Sequence, residues 1–204
     1  MNPERTKPRN VAILVFDDME TLDFAGPHEV FAMAGEQVQP SPFRVYEVGL
    51  TCAPVLARGR LQVTPSHSID TCPDPDILII PGGYGTRQLK HHDGLIRWLA
   101  AKAGQVELLL SVCTGSLLLA KAGLLAGRRA TTHHTAFDRL AILSPTTTVV
   151  RDARFVESSD RIITSGGVSA GIDMSLFVVG KLLGEKARAM VEDEMEYGWH
   201  RANG

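Results

Sequence analysis

The stretch Glu107-Leu108-Leu109-Leu110-Ser111-Val112-Cys113-Thr114-Gly115-Ser116-Leu117-Leu118-Leu119-Ala120 decides the reading of this chain. Its first half is a short apolar run without a helical stripe, which predicts a buried strand. Its second half is a helix-period run of Leu and Ala. Cys113 stands at the junction, with Thr114, Gly115 and Ser116 behind it. A strand that turns abruptly into a helix strains the junction residue and projects its side chain into the crevice beyond the strand carboxyl ends. The first helical N–H groups point the same way and favour negative charge. The stretch therefore predicts a nucleophilic Cys113 with a stabilised thiolate. Free cysteine more often packs as a small buried hydrophobe; the strand–Cys–small residue–helix context is what favours the reactive reading.

Working outward, Val11 to Phe16 (VAILVF) is a continuous apolar run and predicts a central parallel strand. After the turn Asp17-Asp18-Met19-Glu20, the residues Leu22, Val30, Phe31 and Met33 predict a helix ending near Gly35, with Pro27 in its first turn. Phe43 to Leu50 alternates and predicts a second strand. Leu56 to Ser68 predicts a short hairpin or edge element around Gly59. Asp76 to Ile80 is another buried strand, stopped by Pro81-Gly82-Gly83-Tyr84-Gly85. Helical pieces are expected over residues 86–92, 93–103 and 135–143, and short strands at 129–132, 149–150, 155–156 and 161–164. Two closing helices are expected over 172–183 and 185–197. Strands alternating with helices imply an α/β fold, a mostly parallel sheet covered on both faces.

The 204 residues suit one domain, residues 11–204, behind a polar, extended or disordered tail over residues 1–10. Hydrophobic residues make up 44% and charged residues 22%, an ordinary globular balance. A net charge of -2 offers no basic footprint for nucleic acid. No apolar run reaches the ~18 residues of a membrane span, and the first ten residues lack the apolar core of a signal peptide. Cys52, Cys72 and Cys113 are scattered, with no C-x-x-C pair. No metal site is therefore expected, and a reducing, cytoplasmic setting fits best.

A cysteine nucleophile needs a proton carrier and donors for the developing negative atom. Three clusters at strand ends qualify. In Leu22-Asp23-Phe24-Ala25-Gly26-Pro27, burial would raise the Asp23 pKa and make it a proton carrier; the alternative is a helix N-cap. Asp17, Asp18 and Glu20 read as solvated turn residues, with Glu20 the competitor for the acid's role. In Pro81-Gly82-Gly83, paired glycines let backbone N–H groups approach an anion, and the Gly83 and Thr114 amides together would form an oxyanion site; the alternative is a plain tight turn. In Thr131-Thr132-His133-His134, two adjacent histidines in a strand point to opposite faces, so at most one faces Cys113, and His133 is the candidate. His91-His92 reads as a solvated helix end. The Gly-rich loop Ser165 to Ala170 either lines the pocket or lets the next helix, capped by Ser169 or Asp173, pack tightly.

Together, Leu22 to Pro27, Ile80-Pro81-Gly82-Gly83, Ser111 to Ser116, Ala130 to His133 and Ala170-Gly171-Ile172-Asp173 resemble the ThiJ/PfpI superfamily (class I glutamine amidotransferase-like). The resemblance is greatest to isonitrile hydratases and to the sensor domains of AraC-type regulators, and runs from about Val11 to Tyr197. It implies a flavodoxin-like three-layer sandwich with a cysteine nucleophile elbow, a homodimer, no cofactor and a small-molecule substrate or ligand. In the hydratase branch the matching cysteine attacks an isocyanide carbon and an aspartate carries protons. Carried over, Cys113 is the nucleophile, Asp23 the proton carrier, Thr114 a catalytic support, and Gly82, Gly83 and His133 line the oxyanion or substrate site. Ala25 departs from the Thr frequent in hydratases. Thr114 replaces the His that follows the cysteine in PfpI-type proteases, which argues against proteolysis. The resemblance leaves two alternatives: a ligand sensor without its DNA-binding part, since Gly204 closes the sequence soon after the last motif, and an oxidative or carbonyl-stress protein using Cys113.

Overall fold

A computed structural model describes residues 7–198. In chain order the elements are β1 (Arg9–Leu14), α1 (Thr21–Gln37), β2 (Phe43–Gly49), β3 (Val55–Leu56), a 3-10 turn at Arg58–Arg60, β4 (Gln62–Val63), β5 (His67–Ser68) and β6 (Ile77–Ile80). They continue with α2 (Thr86–Leu89), α3 (Asp93–Ala103), β7 (Leu108–Ser111), α4 (Gly115–Lys121), β8 (Arg129–Ala130), a 3-10 turn at His134–Ala136 and α5 (Phe137–Leu143). The chain closes with β9 (Thr148–Val149), β10 (Phe155–Glu157), β11 (Ile162–Ser165), α6 (Ala170–Leu183) and α7 (Glu185–Glu194).

The apolar runs form the middle of a seven-stranded sheet ordered β10-β11-β7-β6-β1-β2-β5. Every pairing in it is parallel except β10 with β11. Ile77–Ile80 and Leu108–Ser111 are buried throughout, as strands covered on both faces must be. Helices α1, α6 and α7 contact one another as one layer; α2, α3 and α5 each contact α4 in a second. This is the expected three-layer, flavodoxin-like sandwich. Among the described residues, no helix is long and apolar enough to cross a membrane.

Several local expectations change. Helix α1 opens at Thr21 and runs past Gly35 to Gln37, so Pro27 lies inside it rather than in the first turn. β1 opens at Arg9, so the last two residues of the expected tail are strand; Met1 to Thr6 lie outside the described residues. The hairpin about Gly59 is present as β3 and β4, but His67–Ser68 goes on to form the edge of the main sheet beside β2. β8 leaves the main sheet and pairs with β9 alone. Residues this short carry too little periodicity to show which sheet they join.

Candidate active site

The site forms where β1, β6, β7 and β11 end. Cys113 follows β7 with φ 57°, left-handed for a residue with a side chain. That conformation costs about 1–2 kcal/mol, and the backbone on both sides holds it. The Cys113 amide donates to the carbonyls of Ser165 (3.1 Å) and Gly166 (3.2 Å). The Cys113 carbonyl accepts from Thr132 Oγ1 (2.9 Å) and Ser116 Oγ (3.2 Å). Gly115 opens α4 so close to the β6 carbonyl of Ile80 that a Cβ there would collide with it. The elbow thus requires glycine two residues after the cysteine.

Asp23 sits in the first turn of α1 and is fully buried. The turn after β1 is fastened to the loop after β6: the Glu20 amide donates to the Gly82 carbonyl at 2.9 Å, and Met19 bridges Gly83. This brings the Asp23 carboxyl to the Gly82 amide, which donates to Oδ2 at 3.0 Å. Oδ1 has no hydrogen-bond partner among the described residues. The Cys113 thiol interacts with this carboxyl directly. Asp23 is therefore no N-cap; α1 is preceded by Glu20, which makes no side-chain capping bond.

The electrostatics invert the thiolate expectation. Cys113 is 6% exposed. Burial first, and then the neighbouring Asp23 charge, push its thiol well above the ordinary range. The amide and hydroxyl of Thr114 pull in the opposite direction and do not prevail. The dipole of a seven-residue helix loses to desolvation. The Asp23 carboxyl is pushed up to about 7, chiefly by burial, with the Gly82 amide and Cys113 pulling it back. The resting pair is a neutral thiol beside a carboxyl poised to take or give a proton near neutrality.

Gly82 and Gly83 also depart from expectation. Gly82 spends its N–H on Asp23, and Gly83 donates to Thr114 Oγ1 at 2.9 Å. Both amides are thus committed within the protein, and they position the acid and Thr114 rather than form a free oxyanion pair with the Thr114 amide. The Thr114 hydroxyl in turn faces the Gly83 carbonyl at 3.2 Å and Thr86 Oγ1 at 3.2 Å.

A cavity of about 130 Å³ opens over Cys113 and is lined also by Gly83, Thr114, His133 and Val168. Glu20, Tyr84 and three arginines, Arg58, Arg87 and Arg139, form further parts of its wall. His133 follows the end of β8 rather than lying in a strand. Its ring packs on that of His134 with centroids 4.3 Å apart, so the two do not point to opposite faces as a strand would require. Only His133 reaches the Cys113 cavity. Its Nδ1 takes the Thr135 amide at 3.3 Å, and desolvation and His134 hold its pKa below the ordinary value, so a neutral ring is present at pH 7. His92 caps α3, accepting from the Leu95 amide at 3.0 Å.

The Gly-rich loop does line the site. A Cβ on Gly167 would lie 2.8 Å from Cys113 Sγ and 2.6 Å from His133 Cδ2. Arg154 anchors this loop: its carbonyl accepts from the Gly166 amide, and its guanidinium reaches Ser169 and pairs with Asp173. Sequence reasoning did not single out Thr132, Gly167 or the three arginines. The paired glycines at 166–167 were a signal for Gly167; the arginines come from three separate elements, the 3-10 turn at Arg58–Arg60, α2 and α5, and gave none.

The sequence matches the DJ-1/PfpI family over residues 9–181. The chain belongs to that family. Isonitrile hydratase of Pseudomonas putida is 33% identical over 190 residues, covering 92% of this chain and 78% of the relative. The HTH-type transcriptional regulator GbdR of Pseudomonas aeruginosa is 29% identical over 195 residues, 96% of this chain; the chain spans about half (52%) of that regulator's length. A ThiJ/PfpI family protein from Pseudomonas syringae has a crystal structure that superposes with a TM-score of 0.84 at 30% identity, covering 94% of this chain and 76% of that one.

Proposed function

We propose that the chain is a cofactor-free, cysteine-dependent hydratase of a small electrophilic carbon, acting on isonitriles. The observation that carries the reading is the buried, half-satisfied Asp23 carboxyl against the Cys113 thiol. A buried carboxyl raised to about 7 suits a group that both takes and returns a proton at neutral pH. The 33% identity to an isonitrile hydratase supports the choice of substrate class.

On this reading Cys113 Sγ bonds to the terminal isonitrile carbon while Asp23 removes the thiol proton and passes it to the same carbon, giving a thioimidate. Water adds to that carbon, giving one proton to Asp23, which passes it to the nitrogen. Collapse then breaks the C–S bond and releases the N-substituted formamide, while Asp23 takes the hydroxyl proton of the tetrahedral intermediate and hands it to the sulfur. One water is consumed and no redox partner is needed. The thiolate never stands alone, which fits a thiol held neutral at rest. Thr114 supports the pair through its amide and hydroxyl, Gly82 and Gly83 fix the loop that holds Asp23 and Thr114, and neutral His133 lends its remaining ring N–H to the cavity. The protein would act as a homodimer, as the family resemblance implies, in the reducing, cytoplasmic setting that its scattered cysteines suggest.

The test is incubation with cyclohexyl isocyanide, following the formyl proton of the product by NMR. Formamide should accumulate with the wild type and not with Cys113→Ala. A second reading, ligand sensing without chemistry, is favoured by the likeness to GbdR over 96% of this chain. It predicts thermal stabilisation by a small ligand, with no turnover and no covalent change at Cys113.

A further inference from the structure

Three arginines share the wall of the Cys113 cavity, against one cavity-lining carboxylate, Glu20. Arg58 is already neutralised: its Nη1 lies 2.7 Å from Glu20 Oε2. Arg87 and Arg139 have no such carboxylate partner among the described residues. Arg87 is instead held by a ring. Its guanidinium lies over Tyr84, 4.4 Å from the centroid, and that of Arg58 lies 5.2 Å from the same centroid. Tyr84 is half exposed. Its face aligns planar guanidinium groups at modest entropic cost. The chain as a whole is slightly acidic, at -2, so this local excess of positive charge runs against the average. Exposed positive charge around a cavity concentrates anions at its mouth.

We propose that the cavity takes a substrate or ligand bearing a carboxylate, held by Arg87 and Arg139 while its opposite, reacting end faces Cys113 Sγ. The identity of the reacting end rests on the hydratase reading above; the anionic end does not. Planar guanidinium groups match a carboxylate through paired N–H donors, a fit that a neutral ester lacks. The cavity of about 130 Å³ leaves room for a short linker between the two ends. Arg58, compensated by Glu20, orients Tyr84 rather than adding a free charge.

The experiment compares isocyanoacetate with methyl isocyanoacetate, two substrates of the same skeleton differing in that charge. The wild type should favour the acid in kcat/KM by about tenfold, the scale of one charge-assisted hydrogen bond. Arg87→Gln and Arg139→Gln should each collapse that preference, mainly through KM for the acid, and Arg97→Gln on the distant α3 should preserve it. Equal use of acid and ester, or a preference untouched by both cavity variants, overturns the anion site and leaves the hydratase reading standing. If neither isonitrile is hydrated, binding decides the inference, and the hydratase reading is decided by the cyclohexyl isocyanide test. N-formylglycine titrated into Cys113→Ala by calorimetry should then bind more tightly than its methyl ester, and lose that advantage in 0.5 M salt or on adding Arg87→Gln. No preference for the acid in that titration overturns the inference on its own terms.

Discussion

The Gly82 amide donates to Asp23 Oδ2 at 3.0 Å, while Oδ1 of the same carboxyl has no hydrogen-bond partner among the described residues. One oxygen is fixed by the loop after β6, the other is unpartnered, and the carboxyl acts on the Cys113 thiol. A carboxyl kept for structure alone would be satisfied at both oxygens, because an unmade bond in a buried group costs about 1–3 kcal/mol. The stability and the chemistry of this protein should therefore pull against each other at Asp23.

Replacing Asp23 by Asn tests the stability side. Burial raises the folded-state pKa from 3.8 to about 7. The folded form then binds the proton more tightly than the unfolded form. This group's contribution is fully favourable below pH 3.8, falls as pH rises towards 7, and is lost above it. Asp23→Asn removes that loss, so chemical denaturation should show the variant gaining on the wild type between pH 5 and 8. Over the whole range from pH 3.8 to 7 the gain is bounded at about 4 kcal/mol by the size of the shift, and about 3 kcal/mol of it falls between pH 5 and 8. A gain that does not change with pH would show that the carboxyl is not held as described.

Thiol reactivity should follow burial rather than helix polarity. Cys52 is exposed, whereas Cys113 is buried and its thiol is pushed up by burial and by Asp23. Iodoacetamide at pH 7.5, read by peptide mass, should modify Cys52 well before Cys113. Asp23→Asn should quicken alkylation of Cys113, since a neighbouring negative charge is removed.

Gly167→Ala should close the site without replacing the nucleophile. The added methyl would stand 2.8 Å from Cys113 Sγ and 2.6 Å from His133 Cδ2, so something must shift. Overpacking of this kind costs about 1–3 kcal/mol. Turnover should drop by at least about tenfold while Tm falls by only a few degrees. Wild-type turnover would mean that this loop does not border the reacting atoms.

Thr114 separates positioning from chemistry. Its hydroxyl accepts from the Gly83 amide at 2.9 Å and fixes the loop that also carries the bond to Asp23. Thr114→Val strands that amide and should cost about 1–3 kcal/mol. Thr114→Ser keeps the oxygen and should retain most of the stability. The two variants compared by thermal melts and turnover read the hydroxyl apart from the methyl.

The central strands were legible because buried parallel strands are near-continuous apolar runs, as in Val11 to Phe16 and Leu108 to Leu110. The elbow was legible because Cys113 breaks one period and begins another. Asp23 was legible as a carboxylate among apolar neighbours. The charge state of Cys113 was not: the sequence shows the helix that favours a thiolate but not the depth of burial that opposes it. The roles of Gly82 and Gly83 were misread for a related reason, since which amide is spent on Asp23 or Thr114 depends on how two loops meet. His67–Ser68 at the sheet edge and Arg154 behind the Gly-rich loop depend on contacts between distant segments, which local periodicity does not encode.

The pH dependence of isonitrile hydration, measured on the wild type and on Asp23→Asn, bears most directly on the Cys113–Asp23 pair. Wild-type kcat/KM should rise with pH through about 7, as the carboxylate able to accept the thiol proton forms, and then level off. Asp23→Asn should lose that inflection and run slower by about 10²–10⁴-fold. Wild-type rates in Asp23→Asn, or an unchanged inflection near pH 7, would contradict proton transfer through Asp23.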